Sequence, residues 1–154
     1  MSALAQYLDD HFAGATFAIE LTEHLAARFE RERRGDFFAS LLLEIRRDRQ
    51  ALEDIVHRAA AAPSSLGTAA GWTMEKLSRP KLKDVGTSSL GYLESLEVLA
   101  LGIMGKAMLW RALGTIAMAH PALGDVDCRR LEARARVQYE SVERLRMQAA
   151  QDVL

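Results

Sequence analysis

Residues Leu90–Ala119, LGYLESLEVLALGIMGKAMLWRALGTIAMA, carry apolar side chains on every side of a helical projection. A helix of that kind has to be covered by neighbours nearly all round. Helical throughout, it would run about 45 Å at about 1.5 Å per residue. Charge interrupts it at Glu94, Glu97, Lys106 and Arg111, whereas an isolated membrane span wants roughly 20 predominantly apolar residues. The stretch therefore reads as the central helix of a helical bundle, and no membrane partner is expected.

Working outward, the residues before it, Pro63 to Ser89, hold no long helical pattern. GWTMEKLS around Trp72 suits a short amphipathic helix, and SRPKLKDVGTSS reads as loop. A connection of this length is uncommon inside a compact domain, and it has the reach to travel the whole bundle. Upstream of it, Phe37 to Ala62 form a helix ended by Pro63, with the stripe Phe37, Phe38, Leu41, Ile45, Asp48, Leu52, Ile55 and Ala59. Asp48 stands at the centre of that stripe, where a carboxylate is expensive unless paired. Glu44 lies on its edge. The first helix should run from the N-cap Ser2 to Arg34, its inward stripe Leu4, Leu8, His11, Ala15, Ala18, Thr22, Leu25 and Phe29. Gly35 and Asp36 then make the turn. So short a connection makes the two helices antiparallel and puts Asp48 near Thr22 and Glu44 near Ala26. After the central helix, a break at His120–Gly124 leads to Asp127 as N-cap of a last helix with the stripe Leu131, Ala135, Gln138, Val142, Leu145, Ala149 and Val153.

A chain of 154 residues falls in the usual range for one domain, so residues 1–154 are read as one. Twenty basic against twenty-one acidic side chains give no overall field that would recruit nucleic acid. The single Cys128 forms no internal disulfide and no zinc cluster, which suits a reducing compartment. The amino terminus lacks a basic n-region and an apolar h-region, so a cytoplasmic location is expected. Few prolines and runs rich in Ala, Leu, Arg and Glu argue for an all-α chain. The alternating charges of RFERERR at 28–34 suit a solvated helix end.

The order is long helix, tight turn, long helix, long crossover, long helix, short turn, long helix. A single long crossover between helices two and three marks the ferritin-like arrangement among four-helix bundles, and over nearly all its length the chain resembles the ferritin-like superfamily. That resemblance implies parallel second and third helices. It places Glu44, Asp48 and Glu97 at similar depth beside Thr22, with His11 and Arg111 nearer the other end. It also implies a di-iron site built from one Glu on each of two helices and a Glu-x-x-His pair on each of the others. The chain departs from this. Glu20, Glu23 and His24 sit on or beside the outward face, position 47 after Glu44 is Arg47, and no helix carries Glu-x-x-His.

Several residues remain as candidates. Glu44, Asp48 and Glu97, with His11 or His24, are the ligands of a carboxylate site for iron or manganese, because clustered oxygens accept such cations. The plainer reading is that these acids are satisfied by arginines, hydroxyls and water, and that His11 is a hydrogen-bonded core imidazole. Lys106, between Gly102, Gly105 and Trp110, either binds an anion or lines a pocket, or else snorkels outward while the glycines admit a partner helix or subunit. Lys76, Arg79, Lys81 and Lys83 make the crossover basic, with Lys81 and Lys83 the candidates for an anion, but Glu75 and Asp84 bracket them and no interleaved aromatics point to nucleic acid. Ser88, Ser89, His120 and Cys128 form no nucleophile–base pattern. The methionines and Trp110 of the central helix suit core or interface packing.

The expected protein is thus an all-α, ferritin-like four-helix bundle whose crossover between helices 2 and 3 carries a short extra helix. It acts as a non-catalytic scaffold or interaction module and a homodimer, with no catalytic residue and no cofactor assigned. The alternatives are a metal oxidoreductase or metal-storage protein using Glu44, Asp48, Glu97 and His11, and an anion-binding module on the crossover.

Overall fold

The computed structural model describes residues 2–61 and 88–154. Among them are four long helices, α1 (Ala3–Arg28), α2 (Arg33–Ala61), α3 (Ser89–Ile116) and α4 (Cys128–Val153), and no strand. The expected helix around Trp72 lies outside the described residues, as do Lys76, Arg79, Lys81 and Lys83. None of the described helices is long and apolar enough to cross a membrane.

Three of the four helices begin where their first orphan N–H groups find a side-chain oxygen. Ser2 Oγ accepts from the Ala5 N–H at 3.2 Å, Ser88 Oγ from Gly91 at 3.0 Å, and Asp127 Oδ1 from Arg130 at 2.9 Å. α3 stops at Ile116, short of the expected Ala119, and single 3-10 turns at Ala117–Ala119 and Pro121–Leu123 follow. His120 between them is extended, the conformation that a following proline favours.

The first turn falls earlier than the sequence suggests. α1 ends at Arg28, and the chain turns through residues 29–32 before α2 begins at Arg33. The cause is aromatic burial. Phe29 leaves the helix to pack 5.0 Å from the Tyr92 ring and 6.2 Å from Phe38, with the Arg34 guanidinium 4.6 Å above it. Gly35 therefore sits inside the first turn of α2 rather than at a helix stop. A Cβ there would fall 2.2 Å from the Phe29 carbonyl oxygen.

Helix directions follow from which ends share a core. One apolar cluster joins Leu21 and Leu25 late in α1, Phe38 and Leu41 early in α2, Leu93 and Leu96 early in α3, and Val142 and Ala149 late in α4. A second joins Leu8, Leu52, Ile55, Leu109, Leu113 and Ala135 from the opposite ends. Hence α1 and α2 are antiparallel, α2 and α3 parallel, and α3 and α4 antiparallel. Two parallel helices in succession require the joining segment to cover a helix length, about 42 Å for the 28 residues of α3. The 26 residues at 62–87 have up to about 85–95 Å of reach.

The inward stripes are those the periodicity indicates. Leu8, Ala18, Thr22, Leu25 and Phe29 are buried on one side of the turn, and Phe38, Leu41, Ile45, Asp48, Leu52 and Ile55 on the other. α3 buries residues around most of its circumference. It leaves one outward side carrying Leu101 (73% exposed) and Met108 (62%).

A substitution at Gly35 tests the aromatic turn. Gly-to-Ala changes inside helices ordinarily stabilise by about 0.5–1 kcal/mol, but Gly35→Ala should cost at least about 2 kcal/mol, the range of backbone-strain variants. Urea unfolding at equilibrium measures it, and a stabilised variant would mean that Phe29 does not close on Gly35.

Candidate functional site

The two apolar clusters are separated by a polar layer, and its members can be located by residue number alone. On α2 Asp48 falls between Ile45 of one cluster and Leu52 of the other. On α3 Lys106 lies between Ile103 and Ala107, and on α4 Gln138 lies between Ala135 and Val142. Asp48 is 1% exposed and Gln138 2%.

Hydrogen bonds tie the layer together, with the Arg134 Nε–H left unpartnered. Lys106 Nζ donates to Asp48 Oδ2 and to Gln138 Oε1. Arg134, one turn before Gln138, donates through Nη2 to Asp48 Oδ1. Gln138 Nε2 donates to Glu44 Oε2 at 2.8 Å and to Asp48 Oδ2 at 3.3 Å. Two carboxylates thus face one ammonium and one guanidinium, and the layer is neutral. Burial pulls the Lys106 ammonium below its ordinary range, with Asp48 opposing the shift. Lys106 therefore does not snorkel outward. The counter-charge that Asp48 requires holds it in the core.

On the α1 side of this layer lies a cavity of about 170 Å³ bounded by α1, α2 and α3. Asp10, His11, Asp48, Arg49, Lys106 and Trp110 line it, and Ala18, Ile45 and Ile103 belong to its apolar wall. Gly14, Gly102 and Gly105 also border it, and a Cβ built on any of the three meets nothing within 4 Å. Trp110 is 1% exposed, yet its indole N–H has no acceptor. Burial also lowers the His11 pKa, against the opposing field of Asp10, which favours the neutral imidazole. Larger hollows, about 1140 and 860 Å³, open at the two ends of the bundle, beside Arg58 and Ser88. These are the ends of the undescribed segment, and the central cavity lies away from them.

The residues expected to form a metal site are dispersed. Asp48 has both carboxylate oxygens on cationic side chains, and Glu44 accepts from Gln138. Glu97 faces outward, half exposed, 3.3 Å from Arg146. His11 stands edge-on to Tyr7, with ring centroids 4.7 Å apart. Among the described residues no three His, Cys, Asp or Glu side chains are grouped to hold one metal ion. Thr22 donates its hydroxyl to the Ala18 carbonyl of its own helix at 2.7 Å, so it does not serve Asp48. Arg111 pairs with Glu132 at 3.4 Å.

Arg134 is the member that sequence reading misses. It sits on the flank of the α4 stripe, four residues before the inward Gln138, and only the demand of a buried carboxylate for counter-charge singles it out from the other arginines of that helix. Compared with protein-family models, with curated proteins and with solved structures, the chain matches none. Its functional reading rests on the geometry of the layer and the cavity.

Removing one member of a buried ion network strands the others, at a cost of about 3–5 kcal/mol, whereas replacing partners together with apolar groups is often near neutral. Asp48→Ala should therefore destabilise by that amount, and Asp48→Leu combined with Lys106→Met by much less. A double-mutant cycle in urea supplies the test, and additive losses would mean that the two side chains are not coupled.

Proposed function

We propose that the chain is a ferritin-like four-helix bundle acting as a non-catalytic binding module, which holds a small organic molecule in the cavity beside Lys106. The up–down–down–up order with one long connection supports the ferritin-like reading. The buried Cys128 thiol supports a reducing, cytoplasmic setting. Binding rather than turnover is favoured because Asp48, Lys106, Arg134 and Gln138 already occupy one another, which leaves the layer as a fixed wall.

The observation that carries the proposal is a cavity bordered by three glycines beside Lys106, whose ammonium spends two of its three donors on Asp48 and Gln138. Each helix-interior glycine costs about 0.5–1 kcal/mol relative to alanine, and at these three positions no neighbour forbids a methyl group. The glycines leave open space, which a bound molecule uses.

The test is a thermal-shift screen of small cyclic compounds against the wild type and Gly105→Leu, whose side chain fills the cavity border. A ligand at one hundred times its Kd stabilises by about 2.7 kcal/mol, which raises Tm by roughly 5–10 °C in a chain of this length. Shifts that disappear in Gly105→Leu are expected. A screen in which the variant responds like the wild type places binding elsewhere.

The outward side of α3 favours a second reading, an interaction module that pairs with its own copy. Leu101 and Met108 lie there at 73% and 62% exposure, seven residues and so two helical turns apart on one face. Sedimentation equilibrium should give twice the chain mass of 17.1 kDa, reverting to the single mass in Leu101→Glu. A monomer at all concentrations removes the homodimer.

A further inference from the structure

The exposed side of α3 has a direction built into it. Two turns of a helix bring the chain back to the same face, and Glu94, Leu101, Met108 and Thr115 recur along α3 at that interval, all of them exposed. Glu97 and Arg111 flank the same row, 50% and 70% exposed. The middle of the row is apolar, and its two ends differ in sign.

The neighbours on α4 leave that difference standing. Near the start of α3, Glu97 lies 3.3 Å from Arg146, and the same guanidinium also holds Glu143 at 2.6 Å. With Glu94 this makes three acids to one base. Toward the far end, Glu132 is shared by Arg111 at 3.4 Å and Arg136 at 2.8 Å, two bases to one acid. The face is therefore acidic at one end and basic at the other, on either side of Leu101 and Met108.

Such a face complements itself in one orientation only. In a two-fold pair the same patch serves both copies. Parallel α3 helices would bring Glu97 level with Glu97 and Arg111 level with Arg111, like charge on like. Antiparallel helices meeting at Met104, midway between the two residues, bring each acid level with the base of the other copy. Both residues lean toward α4, where their partners Arg146 and Glu132 stand, and the two-fold axis of an antiparallel pair sets those flanks side by side. Leu101 then falls within about 1.5 Å of the level of Met108 of the second copy. Gly105 lies between these two positions in the sequence, and a Cβ there would meet nothing within 4 Å, so the helices have room to approach.

Resting on the self-pairing proposed for this face, we infer that two copies join through antiparallel α3 helices centred on Met104, with Leu101 of each against Met108 of the other and Glu97 of each facing Arg111 of the other.

The full chain is followed by sedimentation equilibrium for its mass and, with a nitroxide on Thr115→Cys, by pulsed electron spin resonance for the direction of pairing. The native Cys128 is buried and escapes the label. An antiparallel pair sets the two labels roughly 33 Å apart along the helix axis, twice the span from Met104 to Thr115 at about 1.5 Å per residue. A parallel pair sets them roughly 10 Å apart, the distance between packed helices. Glu97→Arg and Arg111→Glu should each weaken the dimer about 10-fold, because each brings like charges together at two symmetric places, and the two combined should restore it to within about 3-fold. Labels at the short distance, or charge changes that leave the dimer unmoved or fail to rescue each other, overturn the antiparallel register while the pairing stands. A chain that sediments as a monomer, its α3 face left to residues 62–87 or to another protein, overturns both. The label reads the direction with every native charge in place, so the orientation is decided even if a charge variant fails to fold.

Discussion

Asp48 sets the terms for the rest of the bundle. An ionised carboxylate withdrawn from water costs several kcal/mol even after the surroundings relax, so a helix that carries one in the middle of its apolar stripe can bury only in company that repays it. The company comes from two other helices. Lys106 on α3 and Arg134 on α4 bring the positive charge, and Gln138 ties Glu44 and Asp48 of α2 into the same layer. In an all-apolar bundle, sliding one helix by a turn exchanges one hydrocarbon contact for another. Here the same slide would strand a buried charge. The polar layer thus fixes the relative depth of α2, α3 and α4, and the two apolar clusters on either side supply the burial that makes the arrangement worth adopting.

The cavity is a consequence of that layer. Lys106 directs its head toward Asp48 and Gln138. The positions bordering the cavity include Gly14, Ala15 and Ala18 on α1 and Gly102 and Gly105 on α3. No large side chain from these positions returns to fill it. Packing of ordinary density leaves few voids larger than a water molecule, and the space of about 170 Å³ beside the ion pairs exceeds that.

Much of this was legible in the sequence, for reasons that can be named. Helical period fixes which face of α1, α2 and α4 turns inward, so Asp48, Thr22 and Gln138 could be placed in the core from numbering alone. Their burial agrees. The position of the first turn was not legible, because it depends on Phe29 meeting Tyr92, a residue more than sixty positions away. Lys106 was left between two readings for the opposite reason. On α3 nearly every face is apolar, so periodicity gives no inward direction, and a long cationic side chain taken alone is expected to reach for water. Only the pairing demand of Asp48 on another helix reverses that expectation. Glu97 shows the same limit. Its depth along α3 says nothing of its azimuth, and the structure turns it outward toward Arg146.

Seen together, the inward carboxylates and their partners show how a bundle of this helix order meets the charge of buried acids with side chains of its own. In di-iron carboxylate bundles the metal ions are the counter-charge for acidic side chains that the core would otherwise reject. In this chain an ammonium and a guanidinium from α3 and α4 stand where that counter-charge is needed, and they come covalently attached. Neutralising a buried acid with a side chain rather than an ion has a geometric consequence. A metal ion draws ligands from several helices to one point and fills the centre, whereas Lys106 reaches Asp48 from one side and leaves the opposite side empty. The central space beside Trp110 is what remains when the charge problem is solved from the α3–α4 half of the bundle alone.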